Sequence, residues 1–236
     1  MHVSPRNSTV EAKNRILSAS VRMFIERGYK ETTMLDIIKT AGVSAGTFQN
    51  IFHTKDGVLM ELVEVMFVNQ FGIADQIVGE GADPVLRYAM ETSVQLTLAE
   101  LNENLRQIYV EAYTQPKVAE LVSEKMAGEL CGIFDTYLPG YSQSDFYEMD
   151  IGTAGIMRSY MARRCDKYFT LQKKLERFLA ICLRAYKVPE DKVEQTIKYV
   201  LGLDICNIAD RLMQTLFSAL AMKFEFSFST EGESRI

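Results

Sequence analysis

The sequence predicts an all-α protein. Only 5 of its 236 residues are proline, and helix-forming residues dominate most stretches of the chain. Apolar residues recur at spacings of three and four, which places them on one face of a helix. With 47% hydrophobic residues the chain can bury a sizeable core. We therefore expect amphipathic helices packed around an apolar interior, in one large or two small domains.

The most informative stretch, Thr33–Lys55, predicts two helices joined by a tight turn. Gly42 can adopt the positive φ that ends a helix, and Ser44 is a good N-cap for the next one. Phe48 and Phe52 lie on the buried face of that second helix. The other face is polar, uncharged and narrow enough to enter a DNA major groove, and it consists of Ala45, Gly46, Thr47, Gln49 and Asn50. A helical hairpin that serves packing alone is the alternative interpretation.

Capping signals set the other helices of the N-terminal part. Ser8 and Glu11 have the spacing of a capping box, so the first helix is expected to begin near Ser8 and to end at Gly28. Thr33 and Asp36 have the same spacing at the start of the second helix. The expected helices that follow are 33–40, 44–50 and a fourth that Thr54 caps and that runs from Lys55 into the mid-70s.

The rest of the chain also reads as helices with clear starts. Asp83 can cap a helix that begins with Pro84, because proline at the first helical position loses no hydrogen bond. Ser144 and Thr170 are further candidate caps. The expected helices are 83–101, 103–114, 116–137, 145–163, 171–187 and 189 to about 224, with a bend near Gly202 or Ala209. The predicted domains are 1–54, a connecting helix 55–80, 81–226 and a tail 227–236.

Charge and cysteine usage narrow the class of protein. Residues 1–60 carry eight basic and five acidic side chains, whereas the remainder carries 18 basic and 26 acidic ones. A basic N-terminal part on an acidic remainder is typical of a separate DNA-binding module. The four cysteines form no Cys-x-x-Cys pair and lie in apolar helical patterns, so we expect buried thiols in a reducing compartment. The polar N-terminus and the lack of a long apolar run predict a cytoplasmic protein.

Residues 9–66 resemble the DNA-binding domain of the TetR (tetracycline repressor) family of bacterial regulators. The pattern A-G-V-S-x-G-T-F-x-x-x-F-x-x-K, from Ala41 to Lys55, carries the resemblance together with the apolar spacing of Ile16 to Phe24. The resemblance implies a three-helix helix-turn-helix DNA-binding domain joined to a C-terminal helical domain for ligand binding and dimerisation. It also implies residues that contact DNA: Thr33, Ser44, Ala45, Gly46, Thr47, Gln49, Asn50, His53 and Lys55.

Three positions depart from the family pattern. Most relatives carry Lys or Arg where this chain has Ala45, and an aromatic residue, usually Tyr, where it has Gln49. Ile51 also replaces a commoner His or Tyr. These departures remove a cation and a hydroxyl that would bind phosphate, so we expect an unusual affinity or operator sequence.

The C-terminal part offers candidates for two further surfaces. Apolar stripes at helical spacing form either the core of this part or a dimer interface, in which two helices from each protomer make a four-helix bundle. The dimer-interface candidates are Leu175, Phe178, Leu179, Cys182, Val200, Ile205 and Ile208. Amphipathic residues spread over the central helices either pack in the core or line an adaptable pocket. The pocket candidates are Phe67, Tyr88, Gln95, Tyr109, Tyr113, Phe134, Tyr147, Met157 and Tyr160.

The leading hypothesis is a DNA-binding transcriptional regulator, a homodimeric repressor that a small apolar or aromatic effector releases from palindromic operator DNA. An enzyme is disfavoured, because His2 and His53 are the only histidines and the chain has no nucleophile motif, phosphate loop or metal-ligand spacing. We accordingly expect no cofactor and no metal. A protein-interaction module whose N-terminal domain does not bind DNA is the other alternative, and Ala45 and Gln49 are the reasons to consider it.

Overall fold

A computed structural model describes residues 5–79 and 81–228, except for the side chains of residues 5–7 and 67–76, and its regular structure in these ranges is entirely α-helical. The eleven helices are α1 (Pro5–Arg27), α2 (Met34–Ala41), α3 (Ala45–Ile51), α4 (Lys55–Val78), α5 (Pro84–Leu101), α6 (Glu103–Ala112), α7 (Pro116–Phe134), α8 (Gln143–Ala162), α9 (Leu171–Ala185), α10 (Glu190–Leu201) and α11 (Ile205–Lys223). We call α1–α3 the head and α5–α11 the body; α4 connects them.

Most predicted helix starts are confirmed. Thr33 and Asp36 form the expected capping box, and Ser44, Asp83 and Thr170 each accept a backbone N–H through the side chain. The prediction that the first helix begins near Ser8 is wrong, because α1 already includes residue 5. Proline has the φ of a helix and suits a first turn, so the helix begins upstream of the capping-box pattern.

Two further boundaries differ from the sequence prediction. α8 is capped by Ser142 rather than Ser144: the Ser142 hydroxyl accepts the Asp145 N–H, and the Asp145 carboxylate accepts the Ser142 N–H in return. The last helical stretch is interrupted between Leu201 and Ile205 instead of bending. Asp204 caps α11 by accepting the Asn207 N–H, so a new helix starts there.

The head has its own apolar core. Side chains from all three head helices and from the start of α4 are buried together: Ile16, Phe24, Ile37, Phe48, Phe52 and Leu59. Burying each such side chain contributes about 2 kcal/mol, which lets three short helices hold a fixed arrangement. The turn between α2 and α3 is therefore positioned by packing as well as by its caps.

The body is built around α5, which is buried along almost its whole length and contacts α4 and six other body helices. A helix in such a position is usually apolar on all sides. Instead, α5 buries five polar side chains: Glu91, Thr92, Ser93, Gln95 and Thr97. Thr92 and Thr97 donate their hydroxyls to the carbonyls one turn earlier, which satisfies them within the helix. Glu91 and Gln95 bond to each other through side chains.

The dimer-interface candidates lie mostly inside the body. Leu175, Phe178, Leu179, Cys182 and Val200 are at most 1% exposed and Ile205 is 8% exposed, so they pack in the core of their own chain. Such residues offer little surface to a partner. Ile208 is the one candidate that keeps substantial exposure, together with Ile197, Leu201 and Leu212 of the same stripes. The dimer itself stays a prediction.

The cysteines differ in exposure. Cys182 is buried as expected, Cys131 and Cys165 are half-buried, and Cys206 is exposed on the second residue of α11, so burial of all four was a wrong prediction. All four thiols are free. Within the described ranges no cluster of three or more His, Cys, Asp or Glu side chains is arranged to hold a metal ion. No helix in those ranges has the length and apolar composition needed to cross a bilayer.

Candidate nucleic-acid interface and effector site

The turn between α2 and α3 presents α3 at the surface of the head. Gly42 has φ 60° and ends α2 in the left-handed conformation that glycine adopts without strain. The Ser44 hydroxyl accepts the Thr47 N–H at 3.0 Å, and the two hydroxyls are 2.9 Å apart. These contacts fix the first turn of α3, which is the turn expected to face DNA.

The exposed face of α3 is composed as the sequence predicted. Ala45, Gly46, Gln49 and Asn50 are exposed, and Thr47 is half-buried. Phe48 and Phe52 lie beneath them, with their rings 6.1 Å apart in the head core, and Ile51 is half-buried. The short exposed side chains leave a narrow ridge with two amides that can donate and accept hydrogen bonds at base edges.

A cleft of about 400 Å³ separates this ridge from α1. Arg15 lines the cleft opposite Thr47 and Asn50, and its guanidinium donates to the Gly42 carbonyl at 3.4 Å. Arg15 thus supplies a positive charge beside α3, where Ala45 replaces the basic residue of the family pattern. Arg15 was not among the predicted DNA contacts, because no local pattern shows that it comes close to a turn 27 residues later.

Thr33 is exposed at the N-terminus of α2, where the resemblance places a phosphate contact. Its hydroxyl donates to the Asp36 carboxylate at 2.6 Å and its N–H donates to the same oxygen at 3.2 Å. These hydrogen bonds from Thr33 lower the pKa of Asp36 below its ordinary value. A phosphate that binds Thr33 must therefore compete with an ionised carboxylate.

Lys55 points into the protein. Its ammonium donates to the carbonyls of Tyr29 at 2.8 Å and Thr32 at 3.0 Å, and it lies 4.0 Å from the centre of the Tyr29 ring. Partial burial lowers its pKa despite the nearby Asp56. These contacts join the start of α4 to the α1–α2 loop and leave little capacity for phosphate. His53, by contrast, is exposed in the turn before α4, with φ 58°.

The body contains two small cavities, of about 30 and about 40 Å³, that share Gln95 and Tyr113 in their walls. Each is about the size of one water molecule, so an organic ligand has to enlarge them. The first is lined by Tyr88, Glu91, Thr92, Gln95, Tyr113, Met126, Asp150, Thr153, Ala154, Met157 and Phe178. The second is lined by Val63, Met66, Gln95, Ile108, Tyr109, Ala112, Tyr113 and Val122.

The structure brings five of the pocket candidates to these cavities: Tyr88, Gln95, Tyr109, Tyr113 and Met157. Three do not line either cavity. Phe134 is fully buried and stacks on Tyr186 at 4.2 Å, Tyr160 packs against Phe169 and Phe178, and Tyr147 is half-buried elsewhere on α8. The side chain of Phe67 lies outside the described residues.

Sequence reasoning missed the acidic residues of the cavity wall. Asp150 and Glu91 are each 5% exposed. Asp150 lies four residues after the buried Phe146 and seven before the buried Met157, a spacing that places all three on the inner face of α8. An acidic residue on the apolar face of a predicted helix can be recognised from the sequence. Burial, working against hydrogen bonds from Ser123 and Thr153, raises the pKa of Asp150 to about 6.

Two helices connect the cavities to the head. α4 contributes Val63 and Met66 to the larger cavity and begins at the edge of the head. α6 lines the same cavity with Ile108, Tyr109, Ala112 and Tyr113.

The other end of α6 contacts the head directly. The Asn104 amide donates to the Ile25 carbonyl at 2.8 Å, and the Gln107 side chain accepts the Lys30 N–H at 3.1 Å. Gly28, with φ +92°, lies so close to α6 that an added Cβ would be 2.8 Å from Oε1 of the Gln107 side chain. α6 thus lines a cavity of the body and also contacts the head.

Comparison with known proteins identifies the N-terminal part. Residues 16–62 match the family model described as bacterial regulatory proteins, tetR family. The HTH-type transcriptional repressor KstR2 of Rhodococcus jostii (strain RHA1) is 30% identical over 71 residues, which are 30% of this chain and 35% of the relative. HbdR, an HTH-type transcriptional regulator of Aromatoleum sp. (strain CIB), is 37% identical over 70 residues, or 29% of this chain and 31% of that protein.

An uncharacterised HTH-type transcriptional regulator of Bacillus subtilis (strain 168), YerO, is 31% identical over 81 residues, which are 33% of this chain and 28% of the relative. The chain thus spans about a third of the length of the curated relatives it matches. Among solved structures, a gamma-butyrolactone receptor (ArpA-like protein) covers 89% of this chain and 99% of its own, with a TM-score of 0.39 and 15% identity.

Proposed function

Because residues 16–62 match the tetR family of bacterial regulatory proteins, we propose that the chain is a DNA-binding transcriptional regulator of that family, a repressor that leaves its operator when a small effector enters the body. The observation that carries the proposal is the match of residues 16–62 to the family, combined with the exposed polar ridge of α3. The three relatives it matches are named as transcriptional regulators, and none is named as an enzyme.

On DNA, α3 lies in the major groove. Gln49 and Asn50 contact base edges or phosphates, and Thr47 with Ala45 contacts a thymine methyl or base edge. Arg15 binds a phosphate beside α3 and compensates in part for the missing cation at Ala45. Thr33 and His53 remain candidates for backbone contacts, whereas the ammonium of Lys55 acts mainly within the head. One ridge of this size binds weakly, so two heads of a homodimer read a palindromic operator.

Effector binding changes the separation of the two heads. A ligand that enlarges the cavities displaces Val63 and Met66 on α4 and the cavity face of α6. Because α4 and α6 both contact the head, the liganded body favours a head position that no longer matches the operator. Ligand and DNA then bind preferentially to different states of one protein, and each weakens the binding of the other.

Selection of DNA sequences on the purified full chain, followed by gel-shift titration, tests the proposal. We expect a palindromic site to be enriched. The double variant Thr47→Ala and Asn50→Ala should bind that site roughly 30-fold more weakly or worse, because each well-placed base contact contributes about 1–3 kcal/mol. The double substitution keeps the backbone N–H of residue 47, which donates to the Ser44 hydroxyl that caps α3.

Gln172→Ala, an exposed change on α9, is the matched control and should leave the affinity unchanged. If no DNA is retained even at low salt, the regulator proposal fails and a protein-interaction module gains support. If DNA is retained equally by the double variant and by the control, α3 is not the reading helix.

A further inference from the structure

Asp150 is the most unusual group in the cavity wall. It is 5% exposed, it lines the smaller cavity, and its Oδ2 atom has no hydrogen-bond partner among the described residues. A buried carboxylate oxygen without a partner is costly, because burial removes it from water and nothing replaces the lost hydrogen bonds. The hydroxyls of Ser123 and Thr153 hydrogen-bond the carboxylate, but none of the described residues that line this cavity places a positive charge beside Oδ2.

Several other polar groups around the cavity already hydrogen-bond to one another or to the backbone. Gln95 donates one Nε2 N–H to Glu91 Oε1 at 2.9 Å, which leaves its second N–H and its carbonyl oxygen available. The Thr92 hydroxyl donates to the Tyr88 carbonyl at 2.8 Å, and Thr153 lies 2.8 Å from the Tyr186 hydroxyl. No Lys, Arg or His is found among the described residues that line either cavity. Among the described residues, the lining thus carries two carboxylates, Glu91 and Asp150, and no cation.

The apolar part of the lining suits the same kind of ligand. Tyr88, Tyr113 and Phe178 provide aromatic rings, and Met126 and Met157 provide flexible side chains that adapt to a ligand's shape. Aromatic faces attract cations, and this attraction is strongest where water is excluded.

We propose that the effector is an organic cation, whose positively charged nitrogen pairs with the Asp150 carboxylate and whose apolar or aromatic body lies against Tyr113, Met157 and Phe178. The inference rests on the proposed function, because it names the chemical class of that effector. It narrows the small apolar or aromatic effector expected from the sequence, for which charge was not specified.

The geometry also explains how such a ligand acts. Gln95 and Tyr113 separate the two cavities, so a ligand anchored at Asp150 that is larger than its ammonium group has to displace one of them. Its body then enters the second cavity, where Val63 and Met66 of α4 form the wall. The charge thus fixes the ligand at α8, and its apolar part reaches the helix that carries the head.

Isothermal titration calorimetry on the full chain, without DNA, tests the inference. The probes are phenethylamine, benzyltrimethylammonium and tetraethylammonium, each in phosphate buffer at pH 7.5, because a buffer such as Tris is itself an organic cation. Two matched compounds serve as controls: 2-phenylethanol, which is neutral, and phenylacetate, which is an anion. We expect at least one cation to bind, 2-phenylethanol to bind roughly tenfold or more weakly, and phenylacetate not to bind.

Asp150→Asn should weaken binding of that cation by roughly thirtyfold or more, since it removes the buried charge and retains the shape. Glu148→Gln, which removes an exposed carboxylate from the same helix, should leave binding unchanged. Far-ultraviolet circular dichroism and the thermal midpoint establish that both variants fold. The comparison of amine with alcohol on the unmodified chain needs no variant at all.

Binding of none of the three cations overturns the inference, and so does equal binding of the amine and the alcohol. These outcomes are separate from the DNA experiment: a chain that retains operator DNA but ignores every cation keeps the proposed function and loses the effector class. An unchanged affinity in Asp150→Asn also overturns the inference, because it removes Asp150 from the recognition of the charge.

Discussion

Glu100 and Asp150 are both acidic residues of the body, and they differ in burial and in the hydrogen-bond partners of their carboxylates. Glu100 Oε2 accepts a hydrogen bond from the Lys174 ammonium at 2.8 Å, and its Oε1 accepts the Cys165 N–H at 3.0 Å. Lys174 itself is 1% exposed and also donates to the Arg163 carbonyl at 2.5 Å. Asp150 is more deeply buried than Glu100, yet one of its oxygens has no partner among the described residues.

The protonation behaviour of the two acids follows from these partners. Burial opposes the charged form of Glu100, but the hydrogen bonds from Lys174 and Cys165 outweigh it, so the pKa of Glu100 lies below its ordinary value. At Asp150 burial prevails and raises the pKa to about 6. A matched buried acid fixes the positions of helices, in this case α5 and α9. A buried carboxylate oxygen without a partner destabilises the folded state, and the charge of the proposed effector would offset that destabilisation.

The largest effect expected from this comparison is on Lys174. Lys174→Met leaves Glu100 without its main cation and should lower the free energy of unfolding by about 3–5 kcal/mol, measured by urea denaturation at pH 7. The control is Lys173→Met, an exposed neighbour, for which we expect a change within about 0.5 kcal/mol. Similar losses in both variants would mean that the Glu100 pair does not stabilise the body.

A smaller effect, of opposite sign, is expected at Asp150. Because its pKa is raised from 3.8 to about 6, the folded state holds a proton between these values that the unfolded state releases. Its ionisation therefore lowers stability as pH rises through this window, and the penalty is complete above about pH 6. Relative to the unmodified chain, Asp150→Asn should gain about 2–3 kcal/mol between pH 4 and pH 7.

Urea denaturation of both proteins at several pH values checks this prediction, and Glu148→Gln serves as the exposed control. The stability difference between Asp150→Asn and the unmodified chain is the quantity to follow, because other carboxylates titrate equally in both. A difference that does not change with pH would show that Asp150 has the same pKa in the folded and the unfolded protein.

The smallest effect tests whether the chain can supply the missing cation itself. Met157 lines the same cavity as Asp150, so Met157→Lys would place an ammonium near the unmatched carboxylate. The substitution should cost about 1 kcal/mol less in the unmodified chain than in Asp150→Asn, as measured by a double-mutant cycle of urea midpoints. Met157→Leu, which adds no charge, should show no such coupling with Asp150→Asn.

The head could be predicted from the sequence to within a few residues. Its caps at Thr33 and Ser44, the glycine at position 42 and the spacing of Phe48 and Phe52 are local signals, and they fix a short turn between short helices. Arg15 and Lys55 show where this reasoning ends. Their surroundings depend on residues 27 and 23–26 positions away, so the inward direction of the Lys55 ammonium could not be inferred from its neighbours.

The helices of the body could be predicted from the sequence, but the residues that line its cavities could not all be predicted. Amphipathic spacing and caps located α5 to α9 and the stretch that contains α10 and α11. They could not separate residues that pack in the core from residues of a dimer interface, and six of the seven dimer candidates are buried in their own chain. The pocket candidates were chosen as aromatic and flexible residues, and five of the nine line a cavity. Asp150 was overlooked because its role depends on which helices surround α8.

The close approach at Gly28 has a consequence for protein engineering. A Cβ at this position would meet Gln107 Oε1 at 2.8 Å and Asn104 Oδ1 at 2.9 Å, and the positive φ of +92° disfavours any other residue as well. The contact between the head and α6 thus requires glycine at position 28. A chimera that takes the head of another protein therefore has to keep a glycine at this position.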